Sequence, residues 1–566
     1  MSNSKTDWHL QKRATGIAGL DRLTHGGLPR GQATLVLGDT GTGKTVLGLQ
    51  ILANAVEQGG AGLFVTFEES PAQLKRNADS FAWGRALTES EAWSTIDARS
   101  SIGAEIAGGF DIDGLLAVIT SRVKGQKDPW IVIDGIDQLL QHQPDPTAAI
   151  DQIRQINEYC ERHGWTLLLS GKIGGSGLSP RHLEGMEFML PTMLLLTARV
   201  IDRRLNRFMR VAKYRGSAHV TDEVPMVMNL RGIQLPYLAT AGEQRAEADT
   251  ERISTGIERL DKVLGGGPYR GSSLLISGRP GTAKSTLAAS IAQATAERGE
   301  RALLVSFDEM EAPYVRNLAS VGLKLQPHID EERIRFYSRS ATECLISEHL
   351  LELQRLIEDF RPHCLVVDPI SALLKAPGAE GPRPAIEWLI ELTRKHGITT
   401  VMTALTDEGD PEGESTLGQV STIADSWIAL DYNVRAGERN RSISIVKSRG
   451  TAHSNQQREL LLTSDGVELA DVYEFGTEVL MGTARAHKQS EERASRRRAA
   501  VERERQHKDL ERRIEQARNE VARLTTELEL QEQEAEESSR IERRDAENVA
   551  RRRQPDAQDD AGGEGK

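Results

Sequence analysis

Ala33-Thr34-Leu35-Val36-Leu37 runs directly into Gly38-Asp39-Thr40-Gly41-Thr42-Gly43-Lys44-Thr45, and Val46 to Glu57 continues at helical spacing. An apolar run, a glycine-rich octapeptide and a helix in that order predict a phosphate-binding loop at the end of a parallel strand. Glycines let successive backbone N–H groups point inward at phosphate oxygens. Lys44 then reaches the β and γ oxygens, and the Thr45 hydroxyl holds Mg²⁺. ATP and Mg²⁺ are the ligands such a loop implies.

The same elements return farther along the chain. Thr15-Gly16-Ile17 and Leu20-Asp21 recur as Thr255-Gly256-Ile257 and Leu260-Asp261, an offset of 240 that also relates Lys44 to Lys284. Beyond them the offset becomes 234, relating Asp134 to Asp368 and Lys213 to Lys447. A period this long is a duplicated domain. The second loop reads Gly278-Arg279-Pro280-Gly281-Thr282-Ala283-Lys284-Ser285, followed by Thr286, with Ala283 where glycine is expected. Short continuous apolar runs alternating with helical stretches predict two α/β domains with mainly parallel sheets. The expected organisation is 1–240, 241–484, a helix or coiled coil over 485–550 and a disordered tail over 551–566, with an exposed linker near Pro236 to Arg252.

Two further elements surround each loop. Asp134 follows Trp130-Ile131-Val132-Ile133, and Asp368 follows Leu365-Val366-Val367; a carboxylate at such a strand end can hold a metal-bound water, so Thr45, Asp134, Ser285 and Asp368 are the candidate metal residues. The acidic pairs Glu68-Glu69 and Asp308-Glu309 follow the strands between the loop and that aspartate, and are candidates to orient an attacking water or accept a hydroxyl proton.

The net charge of −12 and an aromatic content of 4% argue against a large nucleic-acid footprint, which needs clustered cations and stacking rings. No apolar run approaches the roughly 20 residues of a membrane span, and the first residues lack a signal-peptide core. A cytoplasmic protein is expected. Cys160, Cys344 and Cys364 have neither disulfide nor metal-ligand spacing and read as buried thiols.

The doubled loop, the acidic pairs and the segments Lys213-Tyr214-Arg215-Gly216-Ser217-Ala218-His219 and Lys447-Ser448-Arg449-Gly450-Thr451-Ala452-His453 resemble the KaiC family of duplicated RecA-type ATPases, from about Thr15 to Gly482. The resemblance implies a homohexamer of two stacked tiers with ATP at subunit interfaces. It also implies contacts to the neighbouring chain's nucleotide from Lys213, Arg215, Ser217, His219, Lys447, Arg449, Thr451 and His453, with Arg207 and Arg441 expected to join them. Phosphoacceptors are implied at Ser421-Thr422, where the first domain has Glu187-Phe188, so self-phosphorylation on Ser/Thr is expected of the second domain and hydrolysis of the first. Asp308 departs from the family's glutamate, and Glu309 is a substitute to be tested. A KaiB-like partner is implied; a KaiA-like activator is not carried over, because the chain departs from the family beyond Gly482. The rival reading is a RecA- or helicase-like motor stimulated by nucleic acid.

In that departing segment Leu510, Ile514, Ala517, Val521, Leu524 and Leu528 recur at spacings of four and three. This is a heptad seam, and β-branched residues at one core position with leucine at the other favour two strands. Pairing across two rings keeps every chain equivalent, so a double hexamer is expected.

Overall fold

The computed structural model describes residues 10–99, 112–141, 146–173, 177–236, 250–373, 375–378, 382–406, 420–435, 438–451, 456–471, 473–475 and 478–552. The linker around 237–249, His453 and the tail from 553 onward lie outside them.

Each repeat folds around a nine-stranded sheet. Across the first sheet the strands run Gly232–Gln234, Glu223–Asn229, Arg204–Tyr214, Thr192–Ile201, Ala33–Gly38, Thr166–Gly171, Trp130–Asp134, Gly62–Thr66 and Trp93–Asp97. From Thr192–Ile201 to Trp93–Asp97 every neighbouring pair is parallel, and the remaining pairs are antiparallel. The second sheet repeats this order, with Ser273–Gly278 between Thr399–Leu405 and Ser426–Arg435. The tandem α/β architecture read from the duplicated motifs is therefore the observed one.

The strands are apolar throughout because both sheet faces are covered. Leu35, Leu37, Ile131 and Ile133 join one buried cluster while Val36 and Val132 join the other, as a period of two requires when helices pack on both sides. Parallel register has a functional consequence. Thr66 lies beside Asp134, and Asp134 beside Ser170, so the ends of three strands meet at the edge where the loop after Gly38 begins. The three cysteines are free and buried, and burial pushes each thiol up to about 12.

The two domains touch through the first domain's long hairpin. Arg204, just past its tip, donates to the carbonyls of Glu343 at 2.7 Å and Thr342 at 2.6 Å in the second domain.

Val472–Lys566 is a separate compact unit. In it a small hairpin, Tyr473–Phe475 with Glu478–Leu480, precedes one helix of 71 residues, Gly482–Arg552. It spans the predicted 485–550 and continues two residues farther, through Arg551 and Arg552, into the segment expected as a tail. Leu510, Ile514, Val521, Leu524 and Leu528 are 47–62% exposed along it. Among the described residues no helix is long and apolar enough to cross a membrane.

Arg204→Ala removes two charge-assisted bonds between the domains while leaving the hairpin ladder intact. We expect a loss of about 1 kcal/mol, read in calorimetry as a separation of the two domain transitions; unchanged transitions would show that the tie contributes nothing.

Candidate active sites

The loop begins where the strand Ala33–Gly38 leaves the sheet and ends where the helix Lys44–Glu57 starts. Gly38 must be glycine: a Cβ there would stand 2.5 Å from the Leu196 carbonyl oxygen. Gly41 and Gly43 take φ of +79° and +102°, the left-handed conformation that turns successive N–H groups to one side. Thr42 ties the turn by donating its hydroxyl to the Asp39 carbonyl at 2.8 Å, leaving Asp39, Thr40 and Gly41 exposed at the tip. Lys44 lies along the loop, its ammonium 2.8 Å from the Gly38 carbonyl and 2.9 Å from that of Asp39.

The second loop has the same geometry. Thr282 bonds the Arg279 carbonyl at 2.8 Å, and Lys284 donates to Gly278 and Arg279 at 2.8 and 2.9 Å. Pro280 and Gly281 form its exposed tip, and Ser285 and Thr286 open the following helix. Ala283 adopts φ +78° and its methyl packs on the apolar core beneath, away from the cradle. At Gly43 an added Cβ would likewise meet only Met226, Met228 and Ile233, at 3.6–3.7 Å. The alanine therefore preserves the loop at the cost of about 1 kcal/mol of backbone strain.

Asp134 is the centre of the first site. Its carboxylate accepts from the Thr45 hydroxyl at 2.9 Å and from the Ser170 hydroxyl on the neighbouring strand. Burial pushes its pKa up, opposed by those two donors and by Lys44. A carboxylate destabilised by burial beside a hydroxyl is an all-oxygen, hard donor set that suits Mg²⁺. Thr45 and Asp134 would hold the ion, which supplies charge neutralisation at the phosphates. Among the described residues no three His, Cys, Asp or Glu side chains converge on one point, so phosphate oxygens and water would complete the shell.

The acidic pairs separate into two roles. Glu69 turns away, its carboxylate held by Asn77 at 2.7 Å; Glu309 meets Asn317 at 3.5 Å in the same manner. Glu68 instead lies over Gly135, where an added Cβ would stand 2.8 Å from its Cγ. Burial, then Asp134 and Asp137, raise its pKa, while Lys44 lowers it. Asp308 is raised by burial and then by Asp368, with Lys375 opposing. Glu68 and Asp308 each feel the buried aspartate of their site, and Glu69, although tied to Asn77, is also raised, by burial and then by Asp134.

Sequence reasoning missed four residues here. Asp137 is fully buried and accepts from the Lys172 N–H at 3.0 Å. Ser170, with Thr403 in the second domain, caps the neighbouring strand beside the aspartate. Ser170 follows Leu167, Leu168 and Leu169, and Thr403 stands within Thr399–Leu405, and only the strand register identifies their partner. Tyr314, on the helix Glu311–Ala319, donates its buried hydroxyl to Asp368 at 3.0 Å. Burial and Asp368 keep that hydroxyl protonated well above its usual range.

The Lys-x-Arg segments cradle backbone carbonyls. Lys447 donates to Ser421 at 3.0 Å and Ala424 at 2.8 Å, and Arg449 to Thr422 at 2.9 Å. In the first domain Lys213 and Arg215 do the same for Leu190 at 2.8 Å and Phe188 at 2.7 Å. Ser217 bonds the Ala218 carbonyl at 2.7 Å, His219 stacks on Tyr214, and Thr451 packs near Gly265. Arg207 and Arg441, six residues or about 20 Å of strand before the lysines, stand beside the loops, bonding the carbonyls of Gly41 at 3.0 Å and Gly281 at 3.1 Å.

The family model described as "ATPase: KaiC" matches residues 13–237 and again 253–474. The chain belongs to the KaiC family. A similar relative is the "Circadian clock protein KaiC2" of Synechocystis sp. (strain ATCC 27184 / PCC 6803 / Kazusa), 35% identical over 89% of each chain. The "Circadian clock protein KaiC3" of the same strain is 29% identical over 87% of this chain and 98% of its own. The "Circadian clock oscillator protein KaiC" of Thermosynechococcus vestitus (strain NIES-2133 / IAM M-273 / BP-1) is 29% identical over 84% and 92%. The two loops lie in two KaiC-type ATPase domains, a fold that implies nucleotide binding, and the nucleic-acid motor is not the favoured reading.

Two outcomes are expected of this KaiC family member. Gly43→Ala should retain nucleotide binding within a few-fold, at about 1 kcal/mol of stability, whereas Gly38→Ala should abolish it; equal effects in a fluorescent-nucleotide titration would refute the steric account. A base must be unprotonated, so hydrolysis in the first domain should fall as pH drops through the raised pKa of Glu68. Asp137→Asn removes a raising charge and should move that acid limb to lower pH in the pH–rate profile; an unmoved or raised limb would exclude Glu68 as the base.

Proposed function

We propose that this protein is an ATP-hydrolysing timer or signalling switch whose second domain phosphorylates and dephosphorylates itself on Ser421 and Thr422. One observation carries the reading. The same lysine–arginine cradle holds the same backbone turn in both domains, yet only the second places hydroxyls on it, with Glu187 and Phe188 standing in the first. Val420 is buried beside the turn while Thr422 is exposed. Ser421 or Thr422 would attack the γ-phosphorus in line, ADP would leave, and Asp308 would take the hydroxyl proton. Mg²⁺ on Ser285 and Asp368 would supply charge neutralisation at the phosphates.

In a homohexamer Lys213, Arg215, Lys447 and Arg449 would meet the neighbouring chain's nucleotide, and Lys447 would carry the phosphoacceptor turn with it. A cation reaching across stabilises charge on the transferring group. The organisation 1–240, 241–484, 485–550 and 551–566 would then correspond to hydrolase tier, kinase tier, pairing helix and tail. The circadian names of the relatives support a clock or timer role, and a KaiB-like partner belongs to the same proposal.

Charge along the helix favours pairing between rings. Residues 493–513 carry nine Lys or Arg against four Asp or Glu, and 525–545 carry eight Asp or Glu against three Arg. With Ile514, Val521 and Leu528 at a, and Leu510, Ala517 and Leu524 at d, a parallel pair would set Arg513 against Arg518 and Glu527 against Glu532. An antiparallel pair sets Arg513 against Glu527 and keeps all six seam residues in register. Helices of one ring leave it in one direction and would pair parallel; helices from two facing rings meet antiparallel.

Incubation with γ-labelled ATP should label the second domain, and a Ser421→Ala/Thr422→Ala double variant should lose the label while still hydrolysing ATP. Absence of label in the parent protein would remove the autokinase assignment. Asp308→Glu should speed labelling. Ile514→Glu with Val521→Glu should halve the sedimenting mass; an unchanged mass would exclude the helix as the ring-to-ring contact.

A further inference from the structure

The buried aspartates of the two sites share one partner pattern with one exchange. In the first domain one oxygen, Oδ1, accepts from Ser170 and the other, Oδ2, from the loop hydroxyl of Thr45 at 2.9 Å. In the second domain Oδ1 of Asp368 accepts from Thr403, but Oδ2 accepts from Tyr314 at 3.0 Å. Among the described residues no hydrogen bond joins Ser285 to Asp368. The residue at the position of Tyr314 in the first domain is Leu74, also buried, which has no polar atom to offer.

We propose that Tyr314 is a positioning residue that competes for Asp368 and thereby sets the second site's hold on its divalent cation below that of the first. The inference rests on the reading of Asp368 as the metal-facing carboxylate. Tyr314 is only 3% exposed and its ring leans on Phe336, with centroids 5.2 Å apart, so the phenol cannot swing into solvent. To turn Oδ2 towards Ser285 and a metal-bound water, the chain must break this bond and leave a hydroxyl unpaired in the core. A charge-assisted bond to a buried carboxylate is among the stronger neutral-donor contacts, and an orphaned buried donor bears its full desolvation cost. Among the described residues Asp134 meets no such competitor, and its Oδ2 already faces the loop.

The two sites would then differ in metal occupancy at one free metal concentration, although their loops are nearly identical. Ala283 cannot produce this difference, since its methyl points into the core. The tyrosine acts on the carboxylate itself. A weakly held ion at the second site suits a phosphate that must be both added and removed, while a firmly held ion suits steady hydrolysis in the first.

Mn²⁺ binding to the full-length protein, followed by electron paramagnetic resonance with saturating AMP-PNP, tests the proposal without reference to turnover. The parent protein should show a tight and a weak class of site. Tyr314→Phe, which keeps the ring and removes only the hydroxyl, should tighten the weak class about ten-fold and leave the tight class unmoved; Tyr314→Leu should do the same. An unchanged or loosened weak class in Tyr314→Phe overturns the proposal. Asp368→Asn separates this from failure of the underlying reading: loss of the weak class in Asp368→Asn with no effect of Tyr314→Phe sinks only the tyrosine's role. A weak class untouched by Asp368→Asn sinks the metal assignment itself.

Discussion

The 2.9 Å bond between the Thr45 hydroxyl and Asp134 joins the first residue pair of the loop helix to the end of the central sheet, and the geometry of the first site follows from it. It can form only because the parallel strands are in register. Gly38, Thr66, Asp134 and Ser170 all arrive at one sheet edge, each at the end of an apolar run buried on both faces. Burial raises the pKa of Asp134, and the same burial makes it a strong partner for a cation and its hydroxyl neighbour. Core and chemistry therefore depend on one another: the helices that keep the strands dry also lower the polarity around the carboxylate.

Duplication preserved this arrangement and altered its attachments. Loop, lysine and backbone cradle are nearly the same in the two domains. What changed are side chains at the carboxylates: Glu68 against Asp308, Asp137 against Ser371, Leu74 against Tyr314. Each exchange changes where charge and protons reside, and none changes the course of the backbone. Two sites of one architecture can thus be set to different chemistry without a different fold.

The carboxy-terminal helix follows another logic. Its seam is exposed along the whole unit, and its charges are blocked so that one end complements the other. An exposed heptad seam with blocked charges is the pattern that paired helices use.

Sequence alone determined much of this protein. A glycine loop between a strand and a helix is legible because backbone conformation constrains residue type locally, and the fixed offsets made the duplication and the tandem α/β fold readable. The long helix was readable from its period. Tertiary structure decided what depends on register and on neighbours distant in the chain. It separated Glu68 from Glu69 through Asn77, and set Ala283's methyl into the core. It placed Arg207 and Arg441 beside the loops, about 20 Å along the strand from the lysine–arginine cradle. Ser170, Asp137 and Tyr314 were invisible beforehand for one physical reason. A hydroxyl or carboxylate at a strand or helix position has no meaning until the sheet has placed another group within hydrogen-bond reach.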